Sequence, residues 1–91
     1  MKEQFLQTKI INYAKSQGWL YIKIIKASKA GHSDLIFFKG GMTIFIEVKK
    51  EKTGVKSELQ LYQQQQFRDE NFIWEFVDSL QSFKEMLNKY V

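Results

Sequence analysis

The sequence contains no cysteine and only one histidine, His32. Without cysteine the chain can form neither a disulfide framework nor a thiolate zinc site, and one histidine cannot build a histidine cage. No apolar run approaches the length of a membrane span, and the polar first residues MKEQFLQTK do not resemble a signal peptide. We therefore expect no membrane association and a cytoplasmic location.

The composition is that of an ordinary globular protein, with 44% hydrophobic and 15% aromatic residues. Ninety-one residues predict one small domain that spans residues 1–91. The net charge of +4 is uneven, because residues 23–56 contain eight lysines and only three acids. A lysine-rich surface can simply keep a protein soluble, and it indicates a polyanionic partner only if a site lies within it.

The first half of the chain predicts one helix followed by three strands. Apolar residues at helical spacing predict a helix over residues 2–17, which ends at Gly18. The β-branched and aromatic residues of WLYIKIIKA predict a strand over residues 19–27. The segments DLIFFK and MTIFIEVK predict two strands joined by Gly40 and Gly41, a two-residue hairpin signal.

The second half predicts a helix, a strand and a last helix. The polar loop EKTGVK precedes a helix from Ser57 to about Glu70, with Asn71 as its C-terminal cap. FIWEFV is apolar enough to predict an interior strand, and Asp78 or Ser79 caps the last helix. The order α-β-β-β-α-β-α predicts an α/β (α+β) fold.

Two acids, Asp34 and Glu47, interrupt the apolar strands of the hairpin. If the two glycines form the turn, the register places Asp34 opposite Glu47, with Cβ atoms about 5 Å apart. Side chains alternate along a strand, so Lys49 shares the face of Glu47, and His32 lies near this cluster. A β-bulge would shift the register by one residue.

Two facing carboxylates repel each other unless one is protonated or a cation lies between them. Lys49 could be that cation, which would make the cluster a structural salt bridge. One positive charge does not balance two negative ones, however, and apolar residues at these positions would be more stabilising. The other interpretation is a site for Mg²⁺ or Mn²⁺, whose preferred ligands are carboxylate and phosphate oxygens.

The motifs along the chain resemble those of the VRR-NUC family, the virus-type replication and repair nucleases of the PD-(D/E)XK superfamily. The resemblance covers nearly the whole chain, and its motifs are Gly31-x-x-Asp34, Ile46-Glu47-Val48-Lys49 and Ser57-x-x-Gln60. Ser33 replaces the proline that usually precedes the first aspartate. That proline shapes a turn and binds no metal, so its loss does not weaken the resemblance. The family fold implied is a restriction-endonuclease-like mixed central sheet flanked by helices.

The resemblance implies roles for the clustered residues. Asp34 and Glu47 would bind Mg²⁺ or Mn²⁺, with the Val48 carbonyl as an optional third ligand. Lys49 would be the catalytic lysine.

The resemblance also assigns Gln60 as an auxiliary active-site residue and Glu3 as the acidic residue of the first helix. Both have structural alternatives. Ser57 and Gln60 form a capping-box pattern, so Gln60 could cap its helix, act in the site, or do both. Glu3 lies near a helix N-terminus, where the helix dipole favours an acid.

The function implied is a metal-dependent DNA endonuclease that leaves a 5′-phosphate and a 3′-hydroxyl. Small stand-alone members of the family resemble homodimeric Holliday-junction resolvases of phages, which predicts a homodimer acting on branched DNA in a bacterial or phage-infected cytosol. The alternatives are a non-catalytic nucleic-acid-binding module on the same fold, or a nuclease of restriction or RNA-processing type. The absence of an appended specificity domain disfavours a site-specific restriction enzyme. The residues expected to contact DNA flank the site, and they are Lys26, Lys29, His32, Lys50, Lys52 and Lys56.

Overall fold

The computed structural model describes residues 2–49 and 56–91. The order α-β-β-β-α-β-α is confirmed, and the four strands form one mixed sheet in the order β1-β2-β3-β4. The predicted loop EKTGVK lies outside the described residues except for its last residue. The elements are α1 (Glu3–Ser16), β1 (Leu20–Lys23), β2 (Leu35–Lys39), β3 (Met42–Val48), α2 (Glu58–Asp69), β4 (Ile73–Val77) and α3 (Leu80–Tyr90).

Helix α1 buries the face that its apolar spacing predicts. Leu6, Ile10 and Ala14 are all buried, since residues three or four apart share one side of a helix. Gly18 follows the helix with a φ of +89°, and the N–H of Trp19 donates to the carbonyl of Ala14. The left-handed glycine therefore closes the helix end as predicted.

The register of the β2–β3 hairpin is confirmed by five antiparallel pairs, from Lys39 with Met42 to Leu35 with Ile46. Gly40 and Gly41 both have positive φ, as a tight hairpin turn requires. The ladder ends one residue before the predicted pair of acids. Asp34 consequently lies just outside β2, beside the end of β3 rather than within the ladder.

Strand β1 is shorter than predicted, at Leu20–Lys23 instead of residues 19–27. Its partner β2 begins at Leu35, so the antiparallel ladder has no partner for residues after Lys23. One further hydrogen bond, from the N–H of Ile24 to the carbonyl of Asp34, ties the chain to the site before it turns away. The side chain of Ile25, which follows, is 87% exposed.

The prediction of an interior fourth strand is wrong, because β4 lies at the edge of the sheet, parallel to β3. Its apolar character has a different cause: helices cover both of its faces. α2 packs against it on one side and α3 on the other. Trp74 of β4 is therefore completely buried although its strand is at an edge.

The helices lie on opposite faces of the sheet, as expected for this fold. α1 and α3 cover the face that carries Leu35, Phe37 and Ile44, and together with them form the main hydrophobic core. α2 lies on the other face. Ser79, rather than Asp78, caps α3, and it does so through a hydrogen bond from the N–H of Ser82.

Asn71 has a φ of +68° directly after the C-cap of α2, so it closes that helix as predicted. Within residues 2–49 and 56–91, no helix combines the length and apolarity that crossing a bilayer requires.

Candidate active site

The start of β2 and the end of β3 are joined through the side chain of Asp34. Its Oδ2 accepts a hydrogen bond of 3.0 Å from the backbone N–H of Val48. This contact explains why Asp34 leaves the ladder: its carboxylate, rather than its backbone, bonds to the neighbouring strand. The hydrogen bond fixes Asp34 beside Glu47, which precedes Val48 on the same strand.

Glu47 is almost completely buried, with 4% of its surface exposed. Its Oε2 accepts a hydrogen bond of 2.6 Å from the Nε2 of Gln60 and lies 3.5 Å from the Nζ of Lys49. Its other oxygen, Oε1, is buried and has no hydrogen-bond partner among the described residues. A buried carboxylate oxygen without a donor is costly, and this one is on the side chain predicted to bind metal.

The predicted capping role of Gln60 is confirmed, and its side chain also contacts Glu47, while its active-site role stays a prediction. Its N–H and side-chain Oε1 form a capping box with Ser57, while its Nε2 donates to Glu47. The two ends of one amide thus connect the start of α2 to the buried carboxylate. The capping box orients Gln60, and Gln60 orients Glu47.

The electrostatics of the site disfavour two simultaneous negative charges. Burial raises the pKa of Glu47 to about 7, and the neighbouring Asp34 contributes to this rise, against the opposing effects of Lys49 and Gln60. Burial likewise raises the pKa of Asp34, although the N–H of Val48 acts in the opposite direction. A cation at this position would relieve both effects.

Glu3 acts electrostatically on the same cluster. Its charge is among the causes that raise the pKa of Asp34, which places the first turn of α1 within electrostatic range of the site. Glu3 is exposed, in contrast to Glu47. The charge of Glu3 therefore acts on the site, and its role as the acidic active-site residue of α1 stays a prediction.

The residues present fit a hard divalent cation. Mg²⁺ is commonly held by one or two carboxylates, and waters complete its octahedron. Asp34 is hydrogen-bonded to the N–H of Val48, the residue after Glu47, and the Oε1 of Glu47, without a partner among the described residues, is an available ligand atom. No group of three or more histidine, cysteine or acidic side chains suited to a metal occurs in the described part of the chain. A closed, all-protein metal cage is therefore not formed by these residues.

The residues predicted to contact DNA stay predictions, and the structure gives the positions of four of them. Lys26 and Lys29 are exposed on the loop before the site, and the Nδ1 of His32 lies 2.9 Å from the carbonyl oxygen of Ser33. Lys56 places its Nζ over the ring of Phe76, at 4.8 Å from the centroid. Lys50 and Lys52 lie outside the described residues.

Two residues beside the site were missed in the sequence. Phe76 pairs with Glu47 in the parallel register of β3 and β4, so it lies directly beside the carboxylate and holds Lys56 there. Gln63 is buried, with 6% exposed, one helical turn after Gln60. The spacing of three residues from Gln60 was a usable signal for Gln63, whereas the register of β4 could not be predicted.

Comparisons with known proteins place this fold among solved structures. No protein-family model and no curated protein sequence matches the chain. The architecture is that of VRR_NUC domains. A solved structure described as "VRR_NUC domain" superposes with a TM-score of 0.88 at 23% sequence identity, covering 98% of this chain and 97% of its own. A second, described as "VRR_NUC domain protein", has a TM-score of 0.83 at 18% identity, covering 100% and 88%. The resemblance drawn from the motifs is thus confirmed for the fold.

Proposed function

We propose that this protein is a metal-dependent DNA endonuclease of the PD-(D/E)XK type that hydrolyses phosphodiester bonds. The observation that carries the proposal is the buried Glu47 carboxylate. It faces Asp34, is held by Gln60 and Lys49, and retains one oxygen without a hydrogen-bond partner among the described residues. A purely structural cluster gains nothing from such an oxygen, because its burial costs free energy. The VRR_NUC fold supports the same conclusion.

Asp34, Glu47 and the Val48 carbonyl are the groups that would hold Mg²⁺ or Mn²⁺. A divalent cation bound there would polarise the phosphodiester and lower the pKa of a bound water. Gln60 keeps the Glu47 carboxylate in one orientation through its hydrogen bond of 2.6 Å. The Nζ of Lys49, next to that carboxylate, would orient or deprotonate the attacking water, or neutralise charge that develops on the phosphate.

The proposed substrate is DNA, and branched DNA in particular. The segment from residue 23 to residue 56 contains Asp34, Glu47 and Lys49 and has eight lysines against three acids, which supports a polyanionic substrate. Lys56 is held beside Glu47 by Phe76, which positions one ammonium group for the backbone of the substrate. A repair or recombination role in phage-type DNA metabolism, in the cytosol of a bacterium or infected host, belongs to the same proposal.

A homodimer is the proposed assembly. Strand β1 has one edge without a strand partner among the described residues, and its residues Leu20 and Ile22 are 72% and 53% exposed, with Ile25 beyond them at 87%. Contiguous exposed apolar side chains at the edge of a sheet favour association with another chain. Twofold symmetry would give two active sites for paired cuts across a junction.

The proposal is tested with a cleavage panel of four-way junction, flap, duplex and single strand, each with Mg²⁺, Mn²⁺ or EDTA. Glu47→Ala and Lys49→Ala should each lower the cleavage rate by about a hundredfold or more, because each removes a group that acts in the transition state. Binding of the same DNA in EDTA should be retained. Glu85→Ala and Lys9→Ala are matched controls, since both residues are exposed on helices away from the site.

Undiminished cleavage by either Glu47→Ala or Lys49→Ala would overturn the catalytic assignment. DNA binding without cleavage of any substrate under any metal condition would instead identify a non-catalytic binding module. Preferential cleavage of RNA versions of the duplex and the single strand, tested beside the DNA panel, would favour the RNA-processing alternative.

A further inference from the structure

A cavity of about 190 Å³ lies between α2 and the loop that leads to Asp34. We call it the aromatic cavity. Three aromatic side chains form much of its wall, and three polar side chains also border it. These residues are Phe45, Phe67, Trp74, Gln63, His32 and Ser33.

Two polar groups that border the aromatic cavity lack hydrogen bonds. Gln63 is 6% exposed, and its side-chain amide has no hydrogen bond to the part of the chain that the structure describes. The Nε1–H of Trp74 is buried and is also without a partner among those residues. Buried donors are nearly always satisfied in folded proteins, so the Trp74 N–H indicates that a partner is missing at the cavity wall, and the Gln63 amide is available to a molecule bound in the cavity.

The aromatic cavity adjoins the candidate active site along three elements. Phe45 lies two residues before Glu47 on β3, so both side chains are on the same face, about 7 Å apart along the strand. Gln63 follows Gln60 by one turn of α2, on the same side of that helix. Ser33 directly precedes Asp34. The distance between the cavity and the carboxylates is therefore close to the spacing of neighbouring nucleotides along a strand.

We infer that the aromatic cavity binds one unstacked nucleobase of the DNA strand, next to the phosphate that is cleaved. This inference rests on the proposed function and adds the conformation of its substrate. Aromatic walls suit the faces of a base, and the Gln63 amide offers one donor and one acceptor group to its pairing edge. The volume is below the roughly 300–1,000 Å³ of sites for drug-sized ligands, which suits a single ring system.

A base at this position also predicts a preference for DNA with unpaired or easily opened bases. Extruding a base from an intact duplex costs unstacking and unpairing energy, and that cost is lowest where the strand is already unpaired. The single strand of a flap contains unpaired bases, and base pairs at the branch point of a junction open more readily than those within a continuous duplex. The cavity therefore favours substrates in which a strand can supply an unstacked base beside the scissile phosphate.

Binding is tested without cleavage, by NMR of ¹⁵N-labelled protein in EDTA. The probes are a deoxynucleoside monophosphate, a short single-stranded oligonucleotide, and the same oligonucleotide with abasic sites. We expect the oligonucleotide to shift the Trp74 indole and Gln63 amide signals, and the abasic form to shift neither. The Trp19 indole is the internal control, because Trp19 does not border the cavity. Binding of the monophosphate with the same shifts would support the inference and identify a site for free nucleotides as well as for a strand.

The role of Gln63 is tested by Gln63→Leu, which keeps a side chain of similar size, with Gln65→Leu as the control on the exposed side of α2. In wild type, an abasic site at one position flanking the cleaved phosphate should lower kcat/KM by about fivefold to a hundredfold, the range that base–aromatic stacking supplies. Gln63→Leu should retain that loss but no longer distinguish among the four bases. Because the abasic change is in the DNA, it cannot act by unfolding the protein.

The outcomes separate this inference from the proposed function. Normal cleavage of substrates that are abasic at every flanking position, with no shift of the Trp74 or Gln63 signals, would overturn the inference and leave the nuclease intact. Base-dependent shifts in a protein that cleaves nothing would support the cavity and reject the nuclease. Equal effects of Gln63→Leu and Gln65→Leu on base preference would reject Gln63 as the residue that reads the base.

Discussion

The substitution Glu47→Gln should change how the stability of the metal-free protein depends on pH. Glu47 is 4% exposed, and burial together with Asp34 raises its pKa from 4.5 to about 7. The folded protein therefore binds more protons than the unfolded chain between these two pH values. The free energy of unfolding of the wild type must then decrease as the pH rises through this window, a loss that glutamine, which does not ionise, cannot show.

The size of the effect follows from the pKa change. A shift from 4.5 to about 7 corresponds, at about 1.36 kcal/mol per pKa unit, to about 3 kcal/mol. The glutamine introduced by Glu47→Gln can still accept the hydrogen bond from Gln60 through its carbonyl oxygen, so this contact is not the origin of the difference. The free energy of unfolding of the variant, relative to that of wild type, should increase by about 3 kcal/mol between about pH 4 and about pH 8.5.

The assay is urea unfolding in EDTA at a series of pH values, followed by the fluorescence of the two buried tryptophans, Trp19 and Trp74. Glu85→Gln is the control, since it removes the same charge from an exposed position on α3. The difference in free energy of unfolding between Glu85→Gln and wild type should change much less over the same pH range. The reasoning would be refuted if the difference in free energy of unfolding between Glu47→Gln and wild type did not change with pH, or if the variant became less stable than wild type as the pH rose.

Mg²⁺ should offset most of the stability that Glu47→Gln gains over wild type at high pH. A ligand that binds only the folded state stabilises it by mass action, by about 2.7 kcal/mol at a hundredfold excess over its Kd. Wild type should gain this stability, and Glu47→Gln should gain little of it, because its carboxylate ligand is replaced by a neutral amide. Equal stabilisation of both proteins by Mg²⁺ would place the metal elsewhere.

Two further predictions concern packing and assembly. Gly31→Ala should lower the free energy of unfolding by about 2–4 kcal/mol, because the added Cβ would lie 2.7 Å from the Leu59 carbonyl oxygen and the φ of Gly31 is +78°. Gly41→Ala is the matched control, since the φ of Gly41 is +81° but no atom lies within 4 Å of the added Cβ. It should lower the free energy of unfolding by only about 1–2 kcal/mol in the same urea assay. Equal losses would show that the approach of the loop to α2 is not tight. Light scattering at micromolar concentration should give a dimer mass, and Ile22→Lys should give a monomer mass; a monomeric wild type would contradict the proposed homodimer.

Local patterns predicted most of the fold, since they depend on neighbouring residues. The apolar spacing of Leu6 and Ile10 defined α1, and the paired glycines defined the hairpin register. The errors occur where one element depends on a distant one. The end of β1 is decided by where β2 begins, and the edge position of β4 by its crossover through α2. Neither dependence is visible in the residues of the strand itself.

The sequence by itself determined the chemistry of the candidate site, because the hairpin turn and side-chain alternation bring Asp34, Glu47 and Lys49 together. Only the tertiary structure decided how this chemistry is held. Docking of α2 on the sheet brings Gln60 to Glu47, leaves Oε1 without a donor among the described residues, and encloses the aromatic cavity beside Gln63. These features arise between elements far apart in the chain, where packing rather than local preference fixes the contacts.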